Sequence, residues 1–215
     1  MPHADHTSLI GRSMLRREDP ALLRGEAAFV ADLAIADAVH AVFVRSPFAH
    51  ASVGAIDADA AQSMPGVVTV ITAADLTDLA VAKFHPKFPD GVEQPMLAST
   101  RVRYVGEPLA IVVADTLAQA VDAAESVEID LEPLPVVADL DAALAGETVL
   151  FDHVGTNVVL ASESNAADPA SRAHDVSVRR ELMSPRQSPN PIETRGVVAR
   201  WNDESLQVWS STQRP

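Results

Sequence analysis

Seven histidines are the first residues that could do chemistry, because imidazole both binds metals and carries protons near neutral pH. His3 and His6 stand in a polar arm. His40 and His50 flank a break at Pro47, and His85, His153 and His174 fall in loops or at element boundaries. No pair has helical ligand spacing within a predicted helix, and no H-E-x-x-H run occurs, so packing and solvation are favoured over metal binding. In "ESVEIDLEP" the acids Glu128, Asp130 and Glu132 alternate along one strand. Paired catalytic carboxylates need a pocket that separates their pKa values. A row on one strand reads more simply as a solvated sheet face.

Two further stretches stand out. "YVGEP" places Gly106 just before an apolar run, which points to a tight turn; no G-x-G-x-x-G or Walker pattern accompanies it. "SPRQSPNPIETRG" holds Pro185, Pro189 and Pro191, a rigid irregular segment of the kind that positions functional groups. Glu193 and Arg195 offer a local ion pair there, and spacing leaves their role open. These residues name no reaction by themselves.

The elements that must position them come next. The 215 residues are 47% apolar and 21% charged, an ordinary globular balance with length for one domain or two. The lack of cysteine excludes disulfides, thiolate metal sites, cysteine-held iron–sulfur clusters and a thiol nucleophile. A net charge of −14 makes nucleic acid and anionic membranes poor partners, since both require basic patches. No apolar run approaches the roughly 18–20 residues of a membrane span, and the N-terminus has no apolar signal core, so the cytoplasm is the expected location.

"AVHAVFVRS" predicts a strand buried on both faces, broken at Pro47. Asp57 suits the N-cap of a short helix that the Pro65-Gly66 pair ends; "VVTVI" is a second strand, and Thr72 with Asp75 forms a capping box. Residues 83–96 are a loop. "LAIVVA" is a buried strand; Asp115 or Thr116 then caps a helix whose apolar face is Leu117, Ala120, Val121 and Ala124. "VEIDLEPLP" returns as a strand. Residues 146–169 are polar and read as a linker. Beyond them "HDVSVRREL", "GVVARW" and "LQVWSS" predict two or three strands with an Asn202-Asp203 turn. This is an incomplete layer, and the chain leaves it through "STQRP" towards an element still to come.

Three blocks in order carry a family resemblance: "RSPFAHASVGAID", "RVRYVGEPLAIVVADTLAQAVDAAESVEIDLEPLPVV" and "SPNPIETRGVVARWNDESLQVWSSTQ". The sequence resembles the molybdenum-containing large subunit of the xanthine dehydrogenase, aldehyde oxidase and carbon monoxide dehydrogenase group. "GRSMLRREDPALLRGEAAFVADL" fits that group's usual opening, so the likeness runs from about Gly11 to Pro215.

The resemblance implies an α+β chain: an arm over residues 1–18, an a/b hammerhead domain over 19–145, a linker over 146–171, and the first strands of a molybdopterin-binding domain over 172–215. It implies that Gln213, in the Ser211-Thr212-Gln213 motif, is both catalytic and cofactor-binding. Its amide would hydrogen-bond an oxygen or substrate ligand of the molybdenum centre, and no residue of this chain would ligate the metal. The glycine-rich cofactor segment, the substrate-pocket arginine and a glutamate base would follow Pro215. Iron–sulfur clusters and FAD would sit on partner subunits or domains.

The implied activity is hydroxylation or dehydrogenation of aldehydes, N-heterocycles or related small molecules. These residues would be inactive alone and would hold no cofactor, being a large subunit's front part or a cut-short reading frame. Two other expectations remain: a natural split subunit completed by a partner chain, and a non-catalytic assembly or binding module. An open strand edge further predicts a homodimer.

Overall fold

The computed structural model describes residues 10–77, 79, 85–162, 173, 175–176, 178, 180–185 and 187–212. The chain forms two compact units, one over Asp37–Asp175 and one combining Met1–Ala36 with Val176–Pro215.

The unit over 37–175 has six strands: β1 (His40–Arg45), β2 (Ala51–Asp57), β3 (Val67–Thr72), β4 (Arg101–Val102), β5 (Pro108–Ala114) and β6 (Glu128–Pro133). They form two antiparallel sheets, ordered β1-β5-β3 and β4-β2-β6. Helices α2 (Asp59–Gln62), α3 (Leu117–Glu125) and α4 (Leu140–Ala145) complete the unit. The central strand β5 explains the arrangement. Its alternate residues point to opposite faces, and both faces are covered. Val112 packs with Ala61 and Ala123, beneath α2 and α3. Leu109 packs with Ala51, Ala98 and Val102 against the second sheet. One apolar run thus supplies a wall to each of two small cores.

Two packing expectations need correction. β1 is not buried on both faces: Val42 and Val44 are half-buried while Phe43 is 42% exposed. β1 is an edge strand, and α3 packs along its sheet. On α3, Ala120 and Ala123 are buried whereas Leu117 and Val121 are exposed. Small side chains let the helix lie close to the sheet, and that rotates the larger pair outward. The predicted cap is present, with Thr116 Oγ1 accepting from the Gln119 amide at 3.3 Å. Thr72 and Asp75 also pair as predicted, the Asp75 carboxylate accepting from Thr72 N at 2.7 Å and from its hydroxyl at 3.0 Å.

The stretch over 146–162, read as linker, is tied into this unit. Asn157 uses its whole amide: Oδ1 accepts from Leu150 N at 3.0 Å, while Nδ2 donates to Thr148 O at 2.8 Å and Ala143 O at 3.1 Å. Arg103 donates to Leu150 O at 3.0 Å and lies over the Phe151 ring, and Arg101 pairs with Asp152 at 2.8 Å. The preceding helix α4 was not anticipated, although Asp139 caps Ala142 N at 2.8 Å and Gly146 closes it with φ 70°.

The second unit holds α1 (Asp19–Arg24), a single 3-10 turn over Val30–Asp32, and strands β7 (Val197–Asn202) and β8 (Ser205–Ser210). Residues 19–36 were expected with the preceding unit; here they group with 176–215. The link is made by Val30, whose amide donates to Glu193 Oε1 at 2.9 Å. α1 went unpredicted even though Pro20 opens it and Gly25 closes it in the left-handed region. β7 and β8 pair antiparallel in continuous register from Val197↔Ser210 to Asn202↔Ser205. The expected turn sits one residue further on, because Asn202 still pairs and its Oδ1 accepts from Ser205 N at 3.0 Å. The described residues of "HDVSVRREL" form no strand.

Candidate functional site

Gln213, the one residue to which the family resemblance assigns chemistry, lies outside the described residues. The described chain ends at Thr212, just past β8. Past the last ladder pair, Ser211 continues the closure of the hairpin through its side chain. Ser211 Oγ accepts from Gly196 N at 2.8 Å and donates to Thr194 O at 3.0 Å, and Ser211 N donates to Gly196 O at 3.1 Å. The strand exit is therefore pinned to the strand entrance two residues before the glutamine.

That entrance is itself held. Glu193 takes the Val30 amide, so the sequence-suggested partner Arg195 is not what fixes it. Gly196 makes a close approach: a Cβ there would lie 3.3 Å from Val30 Cγ1, so that side chain would have to give way by a few tenths of an ångström. Glycine and a carboxylate in one short loop, and a hydroxyl reaching it from the end of β8, thus do three different jobs. Arg200 lies 5.9 Å over the Trp209 ring on the adjoining strands.

A second polar group is built inside the 37–175 unit, where β1 leads through Pro47 to β2. Glu107 is 2% exposed, and its carboxylate accepts the Arg103 amide. Burial pushes its pKa up, against the opposing pull of the Arg103 amide and charge and of the Tyr104 amide. Burial likewise lowers the Arg103 guanidinium. Gly106 makes the predicted turn with φ 87°, its amide donating to Ser46 O at 2.8 Å, and Ser46 N donates to Glu107 O at 2.9 Å. In "YVGEP" the glycine signals the turn, while the buried role of the glutamate has no motif. A carboxylate placed directly before a buried apolar run was the available signal.

The histidines do not converge. His50 is 4% exposed and its Nδ1 donates to Pro135 O at 2.6 Å, which leaves Nε2 buried without a partner. His153 Nε2 donates to Asp90 O at 2.9 Å, and His85 Nδ1 accepts from Lys87 N at 3.2 Å. His3, His6 and His174 lie outside the described residues. Glu128, Asp130 and Glu132 are exposed on the outer face of β6, as the alternation predicted. Among the described residues no three His, Asp or Glu side chains gather as a metal site, and no helix is long and apolar enough to cross a membrane.

Comparison with known proteins matches residues 24–135 to a family described as aldehyde oxidase and xanthine dehydrogenase, a/b hammerhead domain. Residues 150–215 match a molybdopterin cofactor-binding domain. The nicotine 6-hydroxylase large subunit of Paenarthrobacter nicotinovorans is 37% identical over 97% of this chain and 26% of its own length. The 6-hydroxypseudooxynicotine dehydrogenase complex subunit gamma of the same organism is 35% identical over 94% of this chain and 27% of its own. Among solved structures, quinoline 2-oxidoreductase from Pseudomonas putida 86 superposes with a TM-score of 0.79 at 38% identity, covering 94% of this chain and 27% of that one. The chain therefore spans about a quarter of the length of these relatives.

Proposed function

Because the chain belongs to the aldehyde oxidase and xanthine dehydrogenase family, we propose that it supplies the front of a molybdopterin-dependent large subunit: the hammerhead domain and the opening strands of the cofactor-binding domain. The observation that carries this is collinearity. Two family matches in the expected order, 24–135 then 150–215, account for most of the chain.

When bound, the molybdenum cofactor would supply two-electron oxidation of a carbon centre with oxygen taken from water. What this chain contributes is narrower. The Gln213 amide carries a donor and an acceptor without charge, so it can orient a cofactor oxygen or the substrate without competing for the metal. The residues fit a hydrogen-bonding wall of such a site. The charge distribution favours that fit. The unit leading to Gln213 carries 9 acidic and 10 basic residues, while the unit over 37–175 carries 21 acidic and 6 basic. An anionic pterin phosphate would thus meet a near-neutral unit.

The substrates we propose are N-heterocycles and related small molecules, following the nicotine- and quinoline-directed relatives. Electrons would pass to iron–sulfur and FAD partners, since a relative is named as one subunit of a dehydrogenase complex. We place the assembly in the cytoplasm, and a pairing of two copies through the hairpin edges is a further contact to look for.

Metal analysis tests the proposal. The large subunit that carries this chain, purified with its partner subunits, should hold molybdenum in stoichiometric amount. Residues 1–215 alone should hold none. An assembled complex free of molybdenum and pterin sinks the enzymatic reading, and molybdenum bound tightly by residues 1–215 alone shows that the cofactor cradle lies on this chain.

A further inference from the structure

The two sheets of the 37–175 unit end in four edge strands, and three of these are blunted. Along β3, Gln62 Oε1 accepts the Val70 amide at 2.9 Å. β4 is two residues long, and β6 carries Glu128, Asp130, Glu132 and Pro133, the charges and proline that discourage strand addition. β1 has no such protection: His40–Arg45 contains neither acid nor proline. The ladder shows which of its backbone groups face out. Val70 aims its amide away from β5, so Val112 opposite it turns its own groups the other way, towards Val42. Ala41 and Phe43 therefore present their amides and carbonyls at the rim of the sheet, where no described strand pairs with them. The helix above this rim has a bare flank on the same side. α3 packs against both β1 and β5, and Gln119 leans over Gly66 just before β3, which fixes the β3 side of the helix. With Ala120 and Ala123 against the sheet, a step of about 100° per residue puts Leu117 and Val121 on the opposite flank, over β1. They are 56% and 39% exposed.

We propose that this flank is a self-association surface: two copies pair β1 with β1, antiparallel about a two-fold axis at Val42, and seat α3 against α3. Ala41 and Phe43 of each copy then exchange backbone hydrogen bonds with Phe43 and Ala41 of the other, and the two three-stranded sheets become one. The spacing closes. Paired strands lie about 4.8 Å apart and each helix stands between β1 and β5, so the two helix axes come to about 10 Å, the distance at which helices pack. Leu117 and Val121 fill the gap between them. No like charges meet in the strand pair, since Arg45 falls opposite Val39 and His40 opposite Val44 of the other copy. Asp122 and Glu125 lie further round α3, and the chain carries a net charge of −14, so repulsion between copies opposes the pair and salt screens it. One strand and one helix flank fall short of a standard interface, which makes the dimer reversible. This inference goes beyond the molybdenum-enzyme reading and does not rest on it.

The test is the mass of the chain by sedimentation over a dilution series, at low and at high salt. The expected result is a shift from 22.8 kDa towards twice that value as concentration rises, larger in high salt. Ala41→Pro removes an outward amide and leaves the β1–β5 ladder its bonds, while Val121→Lys charges the helix seam. Each should stay monomeric with an unchanged circular dichroism spectrum, and the exposed Val121 position keeps the test valid if proline disturbs the strand. Register is read by cross-linking, since the chain has no cysteine of its own. Val42 meets Val42 of the other copy as a non-hydrogen-bonded pair with Cα atoms about 4.5 Å apart, within disulfide reach. Val42→Cys should therefore oxidise to a covalent dimer, whereas Val44→Cys, opposite His40, should not. A chain that is monomeric at every concentration overturns the inference, as do Val42→Cys and Val44→Cys variants that cross-link alike. Association that survives both Ala41→Pro and Val121→Lys places the contact elsewhere, the β7–β8 hairpin included, and overturns it too. The molybdenum reading is decided by metal content and is untouched by any of these results.

Discussion

The unit over 37–175 and the unit formed by 1–36 with 176–215 are stabilised by different means. Every buried residue of the described chain, from Ser46 to Ala123, belongs to the first. The second has helix α1 without a buried residue and a hairpin whose Val197, Trp201, Leu206 and Val208 side chains are all exposed. Its shape is set by backbone ladder and by side chains gripping backbone: Glu193 on Val30, Asn202 on Ser205, Ser211 on Gly196. A hairpin so built is marginal in isolation, whereas the α+β unit has two buried cores of its own. The lesson is a division of labour. Stability is concentrated where no candidate chemistry lies, and the candidate residue follows an element held by a few directional bonds.

The strongest way to break this comparison is to empty a core. Leu109 is 1% exposed and faces Ala51, Ala98 and Val102. Leu109→Ala should lower the unfolding free energy of the 37–175 unit by about 2–5 kcal/mol, from lost transfer energy and the cavity left behind. Urea unfolding followed by circular dichroism measures it. A loss under about 1 kcal/mol would mean that the two small cores are loosely packed and the contrast is false.

Next in size is the buried carboxylate. Glu107→Ala leaves the Arg103 amide without its acceptor and should cost about 1–3 kcal/mol. The pH dependence has a definite sign. Burial raises the folded pKa above the ordinary carboxyl value of 4.5, so the folded state holds this proton more tightly than the unfolded chain. The stability gained by protonation is fully present below 4.5 and is lost as pH climbs through the raised value. Glu107→Gln keeps an acceptor for Arg103 N and has no proton to lose, so it should flatten that segment of the stability–pH curve. An unchanged slope in Glu107→Gln would assign the dependence to other carboxylates.

Legibility in the sequence follows the range of the interactions. β5, α3 and β6 were readable because their signals are local: an unbroken apolar run, Thr116 three residues before the amide it caps, and a strict alternation of acids. The hairpin was readable for the same reason. The roles of α3 residues were not, since which face of the helix is buried depends on how closely Ala120 and Ala123 let it approach β5. α1 and α4 carried local signals, proline or aspartate at the start and glycine at the end, but each is only six residues long and short on periodicity. Glu193 and Asn157 were beyond reach in principle. The amide Glu193 accepts comes from Val30, 163 positions away, and the carbonyls Asn157 serves are chosen by the path of the backbone. The assignment of Gln213 came from resemblance, not from any physical pattern around it.

Asn157 gives a sharper and smaller test. Its amide makes one acceptor and two donor bonds, binding the last turn of α4 to the loop over 148–150. Asn157→Ala should cost about 1–2 kcal/mol. Asn157→Asp keeps the acceptor but replaces both donors, so it should be no better than alanine. The accompanying change should be local, with faster protease cleavage within 146–162 and an intact β5 core. Loss of the whole unit on Asn157→Ala would make this segment part of the core and not a strap across it.

The smallest expected effect is on the hairpin. Trp201 is the largest side chain of β7 and is 71% exposed, opposite Leu206 in the ladder. A core tryptophan cut to alanine would cost about 3–5 kcal/mol. Here little surface returns to water, and the cross-strand pair contributes on the order of 0.2–1 kcal/mol. Trp201→Ala should therefore leave the urea midpoint of the 37–175 unit where it was, while Leu109→Ala moves it far. The quenching of Trp209 fluorescence by acrylamide isolates what remains. Trp209 sits against Val198 in register and under Arg200, so its accessibility reports whether the β7–β8 ladder is still closed. Equal quenching in Trp201→Phe and Trp201→Ala, both of which leave Trp209 as the lone tryptophan, means the ladder and the Ser211 hydrogen bonds hold the hairpin without its apolar face. A large increase means that the exposed side chains already matter to the hairpin as it stands, and the clean separation between a packed unit and a hydrogen-bonded one is lost.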